Sequence, residues 1–63
     1  MSTLVKICMK REDITVVDDW ALNVVKEHYS DVLRYDKVLS FNLDDRVVLV
    51  PTQNIDYIIL KEK

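Results

Sequence analysis

The sequence predicts a small α+β domain: one amphipathic helix packed on a mainly antiparallel sheet, in the order β-(β)-α-β-β-β. Three observations predict it. Residues 38–60 hold apolar, β-forming runs broken by an acidic turn at Asp44-Asp45 and a proline turn over 51–54. Residues 18–34 show helical periodicity, with apolar positions filling about half of the wheel. Glycine is absent from all 63 residues, so any turn that needs positive φ must use Asn or Asp.

Residues 3–10 read as the first strand, with Val5, Ile7 and Met9 on one face and Leu4, Lys6, Cys8 and Lys10 on the other. Arg11-Glu12-Asp13 is a polar break. Ile14, Thr15, Val16 and Val17 are all β-branched, which suits a short strand and makes a poor helix opening. The competing reading takes Thr15 as an N-cap with Asp18 three positions later; the strand is preferred. Asp18 or Asp19 then caps the helix, which runs to about Arg34. Its apolar half holds Ala21, Leu22, Val24, Val25, His28, Tyr29, Val32 and Leu33, with Trp20 at the edge. The two aspartates at its start and Arg34 at its end complement the helix dipole.

After a connector at 35–37, residues 38–43 and 46–50 form a hairpin. With a two-residue turn, Leu39 faces Val50, Phe41 faces Val48 and Leu43 faces Arg46, on the side that meets the helix. Ser40 with Leu49 and Asn42 with Val47 take the other face. Asp-Asp is not the favoured pair for the tightest turn, so a loop of three to five residues stays open, and one slip in register would exchange the faces. Pro51 lacks an N–H and fits a strand end. Residues 52–54 turn as a short 3₁₀ segment. The last strand, 55–60, sets Ile55, Tyr57 and Ile59 on one face and Asp56, Ile58 and Leu60 on the other, and 61–63 form a solvated end.

A chain this short is a single domain, residues 1–63, near the lower limit for a self-sufficient core. The usual supports at this size are disulfides, a metal or a partner chain. Cys8 is the only cysteine and His28 the only histidine. That excludes an intrachain disulfide and falls short of the ligands of a zinc site. No metal and no cofactor is expected, and oligomerisation is the support that is left. Phosphate loops rich in glycine are excluded. The net charge is −2 with the signs interspersed, which argues against nucleic acid and against a charged membrane surface as partners. No signal peptide is evident and no apolar run approaches the ~20 residues of a membrane span. A lone cysteine suits a reducing compartment, so the expected location is cytoplasmic.

The candidate chemical residues read as structural. Cys8 lies in an apolar run as a buried, inert thiol. His28 reads as a core or interface histidine. The pairs Asp18-Asp19 and Asp44-Asp45 suit a helix start and a turn. Phe41 and Tyr57 on neighbouring strands could stack bases, but they lack a basic context; Trp20 and Tyr57 are better read as interface anchors. Lys6, Lys10, Arg11 and Arg46 form a small phosphate patch only if strand 1 lies beside the hairpin.

Counting faces carries the functional expectation. One helix covers one face of a sheet, and the other face still carries apolar residues whose exposure forfeits roughly 25 cal/mol per Å². Either the sheet curls into a barrel or a second copy covers it. The expected interface comprises Trp20, Val47, Leu49, Tyr57, Ile58 and Leu60. The function expected is a small non-enzymatic protein-interaction module, an accessory or regulatory subunit working as a homo-oligomer, with a dimer favoured. The alternative is a small nucleic-acid-binding protein using a barrel-like sheet. An enzyme would need a pocket converging on His28 or Cys8.

Overall fold

The computed structural model of the chain describes residues 2–63. Its elements run β1 (Thr3–Met9), β2 (Asp13–Asp18), α1 (Leu22–Tyr35), β3 (Val38–Asn42), β4 (Val47–Pro51), a 3₁₀ turn (Thr52–Asn54) and β5 (Ile55–Glu62). The α+β class and the element order are those predicted. The sheet is divided: β2-β1-β5 form a three-stranded antiparallel sheet, and β3-β4 form a separate hairpin. The four β-branched residues from Ile14 to Val17 do form a strand.

The three pieces enclose one core. Val5 and Ile7 of β1 are fully buried, and Val25, Tyr29 and Val32 come from the helix. Leu39, Phe41 and Val50 come from the hairpin. The chain therefore closes its core with two sheets and a helix, where the face count assumed one sheet and one lid. The hairpin register is the expected one: Leu39 pairs with Val50, Phe41 with Val48, and Ser40 with Leu49. Leu43 and Arg46 exchange both backbone hydrogen bonds, at 2.8 and 3.4 Å, so Asp44-Asp45 is a two-residue loop. Among the described residues none has positive φ. The loop therefore lacks the primed-turn geometry that matches strand twist, in keeping with the longer of its two closing bonds.

The helix begins later than the periodicity indicated. Asp18 stays in the β1–β2 ladder opposite Thr3, and Ala21 is the N-cap, with no side-chain capping bond and no acid in the first turn. Neither Asp18 nor Asp19 caps the helix. The buried Thr3 hydroxyl instead donates to the Trp20 carbonyl at 2.8 Å, fixing the bend between strand and helix. Pairing with β1 holds Asp18 in the strand and outweighs its local capping preference. At the far end Arg34 lies in the last turn, and the Asp36 N–H donates to the Val32 carbonyl. Thr52 ties that end to the hairpin, its N–H reaching the Lys37 carbonyl and its hydroxyl the Asp36 carbonyl.

The buried helical stripe is narrow, limited to Val25, Tyr29 and Val32. Val24 and Leu33 are about half exposed, and His28 is exposed rather than in the core. A second correction concerns β5. Its ladder with β1 pairs Val5 with Leu60 and Ile7 with Ile58, so Ile58 and Leu60 pack inward against the core. Tyr57 and Ile59 face out with their partners Cys8 and Lys6. A register shift between Cys8 and Met9 then lets Ile55 pair with Met9 and turn inward as well. Lys61 and Glu62, expected as a loose end, extend β5 opposite Leu4 and Thr3.

Candidate functional site

Three surfaces carry most of the exposed apolar residues; Leu33 and Tyr35 stand apart on the helix. The outer face of the three-stranded sheet presents Leu4, Val17, Tyr57 and Ile59, interrupted by Lys6, Lys61 and Asp13. Lys6 Nζ lies 3.5 Å from the Asp13 carboxylate. Cys8 is buried beneath this face, opposite Tyr57. The Tyr57 phenol is raised above its ordinary range, first by hydrogen bonding and charge at Cys8, and then by partial burial and Asp13, with Lys6 opposing.

The outer face of the hairpin is different in kind. Pairing places Val38 with Pro51, Ser40 with Leu49 and Asn42 with Val47 on one side. None of these six side chains is charged, although 32% of the chain is. Leu49 is 65% exposed and Val47 63%.

The third surface is a cleft of about 580 Å³ between β2, the start of α1 and β3. Val25, Tyr29 and Phe41 form its buried lining; Trp20, Val24, His28 and Leu43 stand around them, exposed. The His28 ring meets Tyr29 edge-on, with centroids 5.1 Å apart. Burial pushes the Tyr29 phenol up to about 12, helped by the charge and hydrogen bonding of the Asp18 carboxylate. The folded state therefore favours the protonated phenol. That contribution is intact below the ordinary tyrosine value near 10 and is lost as pH rises from there towards 12. Tyr29→Phe should lose less stability across that window than the native chain in denaturant titrations at each pH. Equal losses would show that Tyr29 is not the group being titrated.

The expected interface residues are thus dispersed. Trp20 stands at the cleft, Val47 and Leu49 on the hairpin face, Tyr57 on the outer sheet face, and Ile58 and Leu60 inside. Phe41 and Tyr57 lie in different sheets, one buried and one exposed, and offer no paired stacking platform. The cations do not gather: Lys6 faces Asp13 and Arg46 Nε binds Asp45 at 3.0 Å. Lys10 and Arg11 line a second cleft beside Glu12, Asp56 and β4. His28 lines the first cleft while Cys8 lies under the opposite face of β1, so the two do not converge. Among the described residues no three His, Cys, Asp or Glu side chains are grouped to hold a metal ion, and no helix is long and apolar enough to cross a membrane. No family model, curated protein or solved structure matches the chain.

What sequence reasoning missed is the cleft. Its signal is faint: helical periodicity puts Val24 and His28 in the apolar half and Trp20 only at its edge, and nothing in the pattern says that β2 and β3 stop short of pairing.

Proposed function

We propose that the protein is a small non-enzymatic interaction module, an accessory or regulatory subunit that works as a homodimer through the outer face of its hairpin. The observation that carries this reading is the absence of charge from that face. Interface centres are depleted of charged side chains and keep apolar ones, whereas an ordinary solvated sheet face carries Lys, Glu or Asp. The outer face of the three-stranded sheet suits dimerisation less, because Lys6 stands near its centre and a two-fold contact there would bring two lysines together. A standard interface of about 800 Å² per partner would cover roughly a sixth of the 5017 Å² surface. The shielded Cys8 suits a reducing, cytoplasmic setting.

Light scattering coupled to size-exclusion chromatography tests the reading. The native chain should elute as a dimer, and Leu49→Lys should give a folded monomer, with association weakened at least about tenfold, equivalent to some 1.4 kcal/mol. A monomeric native chain, or a dimer that Leu49→Lys leaves intact, would overturn it. Bound nucleic acid released by salt would favour the barrel-like alternative instead.

A further inference from the structure

The cleft between β2 and β3 has two walls made of strand edges. Among the described residues β2 pairs only with β1, and β3 only with β4. The hydrogen-bonding direction of each residue follows from the alternation of an antiparallel ladder. The Leu43–Arg46 pair exchanges both bonds. Phe41 and Leu39 therefore point their backbone groups at β4, and Ser40 and Asn42 point theirs away. On the other wall, the Lys63 N–H donates to the Ser2 carbonyl at 3.0 Å, one step beyond Thr3 in the β1–β5 ladder. Leu4, Lys6 and Cys8 thus bond β5, while Thr3, Val5 and Ile7 bond Asp18, Val16 and Ile14. Thr15 and Val17 are left pointing outward. Asp13 of β2 and Val38 of β3 point outward in the same way beyond the cleft's ends, and the other four residues with free backbone groups on these two edges, Thr15, Val17, Ser40 and Asn42, line this one cleft.

We propose that this cleft binds an extended, basic-apolar peptide segment of a partner protein, which adds as a strand to the free edge of β2 or β3. The inference rests on the reading of the protein as a binding module and names the partner's chemistry. An extended chain is the occupant whose N–H and C=O groups match unpaired strand edges. Trp20, Val24 and Leu43 offer apolar contacts to its side chains. Its charge follows from the cleft's own lining, which includes the Asp18 carboxylate and no Lys or Arg. Complementary charge favours the encounter and orients the segment.

The test is selection from a random library of displayed short peptides against the full chain, followed by synthesis of the enriched sequences. Alternating β-branched or aromatic residues with Lys or Arg are expected, together with amide shifts at Thr15, Val17, Ser40 and Asn42. N-methylation of alternate peptide nitrogens should weaken binding at least about tenfold, because strand addition is made by main-chain bonds. Val24→Lys, with an unchanged thermal transition, should weaken it comparably, and Ile59→Lys, on the outer face of the three-stranded sheet, should leave it unaltered. No enrichment, acidic or helical winners, or an N-methylated peptide that binds as well would overturn the assignment. So would a native chain in which a second copy already protects those four amides. The two readings fail separately: a dimer that takes no peptide loses only the cleft, and a monomer that takes peptide loses only the dimer.

Discussion

Val25→Asp is expected to unfold the domain. Val25 is 2% exposed and lies in the buried stripe of α1, within the cluster that joins helix, sheet and hairpin. A carboxylate there would be sealed among apolar side chains and held neutral only at the cost of a raised pKa and lost packing. Such burial costs several kcal/mol. A chain of this length has only about 3–9 kcal/mol of stability in total, at roughly 0.05–0.15 kcal/mol per residue. Loss of amide dispersion and of the cooperative thermal transition is the expected readout. Val24→Asp, one position along on a half-exposed side of the same helix, should fold. If Val25→Asp melted like the native chain, the helix would not be seated as described.

The second large effect separates two adjacent isoleucines. Ile58→Lys should destabilise the domain by about 2–4 kcal/mol, since Ile58 faces Ile7 and packs on the core. Ile59→Lys should cost less than about 1 kcal/mol, since Ile59 shares the outer face with Lys6 and is nearly half exposed. Chemical denaturation of both variants measures the difference. The opposite ranking would mean that β5 is shifted by one residue against β1. The face count, which sets Ile58 on the uncovered side of a single sheet, favours the other outcome, and period-two alternation does not correct it. Alternation separates Ile58 from Ile59 correctly but cannot say which of the two faces in.

That example marks how far the sequence reaches. Local rules placed all five strands and the helix, because β-branched runs, helical periodicity and the lone proline act over a few residues. The hairpin register was legible only in part. A two-residue turn puts Phe41, Leu39 and Val50 on a common face, but Asp44-Asp45 also allows a longer loop with the faces exchanged. The Leu43–Arg46 bonds decide between them. The helix start was not legible. Asp18 and Asp19 are good capping residues, and only the distant partner Thr3 shows that Asp18 belongs to a strand. The candidate surfaces divide in the same way. Val47 and Leu49 were identifiable as outward, given a two-residue turn, because the hairpin is local. Ile58 and Leu60 were misplaced because their facing depends on β1, fifty residues away in the chain.

The amino-acid order by itself therefore determined the class, the element order and the alternation within each element. All of these follow from backbone preference and side-chain period. The tertiary structure alone decided that the strands split into two sheets, that His28 and Val24 border a cleft, and that two strand edges are left open towards each other. Those features arise from contacts between distant segments, above all the pairing of β1 with β5 at the far end of the chain, which buries Val5 and Ile7 and which no local window contains.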